Sequence, residues 1–197
     1  MKIAVTNFLV HKYSRQGLWS LFLMCAFPIH LWTLILSLRD ISWLTERTNL
    51  WDAIGVVSYG MILALVESVL IFLGVVLIGY IIPARWTSDQ RITFLTLLYL
   101  ITAVWAIVSQ LLFVWEIDLP ASAVRFLRES EHPLRILYAG TLAVVGATVL
   151  LPVYSFVQSR RAVPAMLGLM ERFSTLTVFY LLFDLVGLVV IVIRNLG

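Results

Sequence analysis

Long uncharged stretches separate the charged clusters of this chain from one end to the other. An α-helix rises 1.5 Å per residue, so about 20 apolar residues cover the ~30 Å hydrocarbon layer of a bilayer. Five stretches meet that requirement, at approximately 17–38, 60–82, 92–115, 136–158 and 173–193. The second is ambiguous at its start. From Ala53 to Ala84 the only charge is Glu67, so either one tilted helix fills the run or an interfacial piece at 50–59 precedes a span at 60–82. A cleavable leader is disfavoured for the first run, because Leu38 leads straight into Arg39 and Asp40 rather than into small residues.

Composition agrees with this pattern. Hydrophobic types make up 61% of the chain and charged types 13%, against about 25% charged in an average soluble domain. Unpaired backbone groups are too costly in hydrocarbon for loops or open sheet edges to face lipid, and the runs are too long for barrel strands. The expected fold is therefore an all-α integral membrane protein. It comprises about five transmembrane helices, with short amphipathic interfacial helices in the connections. No linker or internal repeat divides the chain, so 1–197 reads as a single polytopic domain. Trp19 and Trp86 mark one set of helix ends, and Trp43, Trp51 and Trp115 the other, while Trp32 and Trp105 lie deep.

Five spans put the termini on opposite sides. Connections on the amino-terminal side carry eight Lys and Arg and those on the other side six. The positive-inside rule then favours a cytoplasmic N-terminus and an outside C-terminus, in a plasma or inner membrane. Basic residues spread through all connections are orientation signals, so no nucleic-acid partner is expected. The segment from Met1 to Gln16 suits a short helix on an anionic leaflet. Pro120 to His132 suits an amphipathic helix of about three turns on the outer surface, and Arg160 to Arg172 a similar element inside.

Ionisable residues within a span mark candidate sites. There are three here: Glu67, Asp184 and His30. Asp184 shares a helix face with Thr177, Tyr180 and Gly187; His30 shares one with Ala26, Thr33 and Ser37. Gln110 adds a polar group in the third span. Around Glu67, the small residues Gly60, Ala64, Ser68 and Gly74 offer a helix-packing face. The polar faces are expected to meet in one pocket, comprising Glu67, Asp184, His30, Gln110 and Tyr180 as a ligand or proton site. No Lys or Arg falls inside a span, so a carboxyl there is more stable protonated unless a protonated His30 neutralises it. Such groups serve equally as hydrogen-bonding ties between helices.

Catalytic signatures are missing. No paired intramembrane aspartates occur, Cys25 and His30 lie about 140° apart around one helix, and no HxxxH or HExxH spacing supplies a metal site. The single Cys excludes an intramolecular disulfide. Neither metal nor cofactor is expected, and catalysis, acting on a lipid-linked substrate, ranks last among the possible roles. Small size without a soluble domain points first to an accessory or scaffold subunit of a membrane complex, held in the lipid bilayer beside a partner protein or as a homo-oligomer. The alternative is a small transporter or a lipid- or small-molecule-binding bundle with a protonatable intramembrane site.

Overall fold

The computed structural model describes residues 13–83, 85–114, 118, 120–159 and 161–196. The expected N-terminal surface helix falls largely outside the described residues, as do Trp115 and Arg160. Six helices and no strand occur among the described residues: α1 (Arg15–Arg47), α2 (Leu50–Ile78), α3 (Ser88–Val114), α4 (Ala121–Glu129), α5 (Pro133–Gln158) and α6 (Ala162–Leu196). All but α4 are long and apolar enough to cross a membrane.

Local chemistry sets the boundaries. The Ser14 hydroxyl accepts from the Gly17 amide at 3.0 Å and opens α1. Asn49 does the same for α2, its Oδ1 accepting from the Asp52 amide at 2.9 Å. Only Thr48 and Asn49 separate these helices, which therefore run antiparallel as a hairpin. A reciprocal capping box precedes α3: the Thr87 amide donates to Gln90 Oε1 at 3.1 Å and the Gln90 amide to Thr87 Oγ1 at 3.2 Å. Pro133 occupies the first turn of α5, where its missing N–H has no consequence.

One alternative left open by the sequence is selected, and one expectation changes. The ambiguous second run forms one unbroken helix from Leu50, and it stops at Ile78 rather than Ile82, turning at Gly79 before Pro83. The interfacial element expected at Arg160–Arg172 is the opening of α6 itself, which continues for 35 residues. Pro164 falls within the first turn and breaks nothing, and Gly168 is carried inside the unbroken helix. On the opposite side, the expected amphipathic helix is α4, exposed along most of its length.

Helix α1 is the axis of the bundle. It packs on α2, α3 and α6, and α6 also packs along α2, whereas α2 and α3 scarcely touch each other. The densest core lies where α1, α3 and α6 begin, around Leu21, Met24, Leu95, Met166 and Met170. Arg91 is sealed into this end, only 2% exposed, although the sequence marks it merely as a basic flank. Its guanidinium lies 5.5 Å from the Tyr13 ring centre and donates from Nη2 to the Pro83 carbonyl at 3.3 Å. Burial pushes the Tyr13 phenol above its ordinary value, and the Arg91 charge pulls in the other direction. At the opposite end Arg194 pairs with Asp52 at 2.7 Å, and Asn195 donates to the Tyr59 hydroxyl at 2.9 Å, fastening the end of α6 to the start of α2.

Helix α5 stands apart. It leans on α3, with Trp105 Nε1 donating to Thr148 Oγ1 at 3.0 Å, and every residue from Pro133 to Val144 is exposed.

Candidate functional site

The polar residues singled out from sequence gather in two places rather than one. In the first, His30 of α1 meets Asp184 of α6, with Nε2 at 2.9 Å from Oδ2. Both are sealed from the surface, at 0% and 3% exposure. The other ring nitrogen, Nδ1, lies 2.8 Å from the Ala26 carbonyl. A carbonyl only accepts, so Nδ1 carries a hydrogen, and Nε2 is left to share one proton with Asp184. The shared proton sits on the acid, giving two neutral partners, or on the ring, giving an ion pair. Either way the pair is neutral as a unit. A pair neutral as a unit can stay buried without a Lys or Arg to balance it.

The surroundings of this pair come from helical spacing. Thr177, Asp184 and Gly187 form the buried stripe of α6, with Met170 and Met166 about two and three turns before Thr177. Tyr180 is half-buried and lays its ring parallel to that of His30, with centres 6.3 Å apart. Phe27 then stacks on Tyr180 at 6.1 Å and meets Phe173 at 5.0 Å, closing this flank with aromatic rings. Thr177 returns its hydroxyl to the Phe173 carbonyl at 2.9 Å. Asp184 Oδ1 remains buried without a hydrogen-bond partner.

Glu67 and Gln110 belong to a separate place. Both line a cavity of about 330 Å3 between α2 and α3, with α1 as its floor. The expectation of a single shared pocket is thus corrected. Its reason is geometric: Pro28 and Trp32, on the cavity floor, each lie about 160° around α1 from His30, at 100° per residue. Because α1 is central, its opposite faces serve different neighbours. Glu67 is exposed, while Ala64 and Ser68 beside it are buried against the bundle.

The packing residues expected on α2 divide as well. Ala64 and Ser68 belong to the buried face, and Ser68 donates back to the Ala64 carbonyl at 2.6 Å. Gly60 is half-buried, and a Cβ there would touch the Thr33 methyl at 3.5 Å, an ordinary contact. Gly74 is not a close-approach position, since nothing lies within 4 Å of where a Cβ would be. The tight crossing is instead at Gly187 of α6. A Cβ there would lie 3.3 Å from the Ser58 carbonyl oxygen and 3.5 Å from the Ser58 Cα.

Comparison with known family models, curated proteins and solved structures gives no match to this chain.

What the two places can do differs. The His30–Asp184 pair is enclosed and self-neutralising, which suits a tie between α1 and α6 through which one proton can shift. The cavity is open laterally between α2 and α3. There Tyr99 donates to the Cys25 carbonyl at 2.8 Å and Thr102 to the Leu98 carbonyl at 2.7 Å. The Trp32 indole N–H is buried without a partner. Sequence reasoning found Glu67 and Gln110 by their polarity, but it placed Trp32 only as a deep tryptophan. The signal was present in its spacing, four residues after Pro28 on the same face.

Proposed function

We propose that this protein is an accessory or scaffold subunit of a larger membrane assembly, and that α5 is the helix by which it docks. One observation carries the reading: three turns of α5, Pro133 to Val144, are exposed all the way round. Membrane helices associate through close backbone approach at small residues, and Ala139, Ala143 and Ala147 recur every fourth position on one face. Another transmembrane helix, from a different chain or a second copy, is the occupant that this face fits.

The variant Ala143→Leu should abolish stoichiometric co-purification of the partner from mild detergent, while the thermal transition of the isolated protein stays where it is. Retention of the partner by this variant would remove α5 from the interface. An unvarying lone monomer in the wild-type extract would overturn the subunit reading altogether.

The orientation we favour has a cytoplasmic N-terminus and an outside C-terminus in a plasma or inner membrane, on the charge bias of the connections. Cys25 is buried, so a cysteine introduced as Arg125→Cys in α4 would be the accessible thiol. Labelling of intact cells by an impermeant maleimide is expected. Labelling only after the membrane is opened would invert the topology.

A second reading, a transporter or small-molecule-binding bundle, is supported by the lateral cavity at Glu67. The carboxyl there has no ion pair among the described residues and lines a gap between α2 and α3.

A further inference from the structure

This inference rests on the second reading above and assigns that cavity a class of ligand. Glu67 makes no hydrogen bond and no ion pair with any described residue. Its position is close to the middle of α2, level with Ile29 and Thr33 in the central turns of α1, so it lies deep in the apolar layer. An ionised carboxyl at such depth is strongly unfavourable unless a positive charge stands beside it. None of the residues lining the cavity is basic.

The remaining walls favour a particular complement. Trp32 and Tyr99 supply aromatic surface on two sides, and Ile29, Ile71 and Ile107 supply apolar surface. The hydroxyls of Tyr99 and Thr102 are already committed to backbone carbonyls. A ligand therefore meets one acid, the neutral polar groups of Gln110, Thr33 and the Trp32 indole, aromatic rings and aliphatic walls. Aromatic faces attract cations, most strongly when water is excluded. The volume of about 330 Å3 lies at the lower end of the range for small-molecule sites. Since α2 and α3 scarcely touch, entry is sideways from the lipid.

We propose that the α1–α2–α3 cavity binds a hydrophobic organic cation, with Glu67 as its counter-charge and Trp32 and Tyr99 as its aromatic walls. The cation takes the place of the carboxyl proton, which leaves to water. A neutral amphiphile would use the same walls but would gain nothing from the charge at Glu67.

The test uses the full chain in nanodiscs, with tetraphenylphosphonium as the cationic probe, triphenylmethanol as the neutral one, and empty nanodiscs subtracted. Saturable binding of tetraphenylphosphonium is expected. It should weaken by about tenfold or more in Glu67→Gln, which keeps shape and hydrogen bonding but not charge. Ala106→Trp, which fills the cavity and leaves the acid in place, should weaken both probes. Glu67 has no partner among the described residues to lose, so Glu67→Gln should keep the wild-type thermal transition. Saturable binding of triphenylmethanol alone, unaffected by Glu67→Gln, would overturn the cation assignment and leave the ligand-binding reading standing. No saturable binding of either probe would overturn both. Cation binding that Glu67→Gln does not change would remove Glu67 from the site and refute the proposal.

Discussion

Replacing His30 with leucine should destabilise the folded bundle by about 3 kcal/mol, the largest effect expected of any single substitution in its core. An interhelical hydrogen bond in a membrane is worth about 1 kcal/mol. The expected loss is larger because of what stays behind: Asp184, 3% exposed, with Oδ1 already unpartnered and Oδ2 now stripped of its only hydrogen bond. Asp184→Leu should cost less than His30→Leu. The His30 ring would keep its bond to the Ala26 carbonyl and lose only the contact at Nε2. Removing both partners together should recover most of the stability, since two apolar side chains leave no stranded polar group. Reversible unfolding in mixed micelles, read for the two single variants and the double, measures the coupling directly. A loss below about 1 kcal/mol in His30→Leu would mean that Asp184 finds another partner and that the pair does not hold α1 to α6.

The second large effect is expected at Gly187. A leucine there gains about 1 kcal/mol in helix propensity over glycine, but its side chain must occupy space held by the backbone of Ser58. Backbone cannot swing aside as a side-chain tip can, so α6 must move off α2. We expect a net loss of about 2 kcal/mol, with the His30–Asp184 contact one turn away weakened as well. Gly74→Ala supplies the contrast. With nothing within 4 Å of its Cβ position, it should be neutral or stabilising by up to about 1 kcal/mol. The same unfolding assay checks both variants. Equal effects at the two glycines would show that the α2–α6 crossing is not close-packed in the membrane.

Both predictions concern the buried stripe of α6, where helical spacing names the residues on a face but not the helix opposite them. That Asp184 belongs on a stripe with Thr177 and Gly187 follows from helical spacing alone, because 3.6 residues per turn fixes which side chains share a face. The same spacing grouped Gly60, Ala64, Ser68 and Gly74 near Glu67. It could not say that the bundle buries the Ala64 and Ser68 side while leaving Glu67 at the edge of a gap. Nor could it distinguish Gly74, which meets nothing, from Gly187, on which two backbones converge. Propensity and polarity describe one helix at a time. Contact depends on which helix stands opposite.

Arg91 and α6 show the same limit from the other side. A basic residue in the first turn after a connection reads as a topology signal, yet tertiary packing closes Tyr13 and the Pro83 turn over it. The surface element expected at Arg160–Arg172 rests on Pro164 opening a short apolar stretch, and a proline in the first turn does not keep a helix from running on. The helix continues through Gly168 into the apolar run without a break.

The sequence by itself determined the helical class, the number of apolar runs long enough to span a bilayer, and the residues that hydrocarbon makes conspicuous. Those follow from properties each segment carries alone: length against bilayer thickness, and the energy of an ionisable group out of water. Only the tertiary structure decided that α1 is central, that His30 faces Asp184 rather than Glu67, and that Glu67 opens on a cavity of its own. These depend on the order in which helices surround one another, and several orders satisfy the same hydropathy pattern. The choice among them lies in the close contacts of particular side chains across chain separations that no local pattern spans.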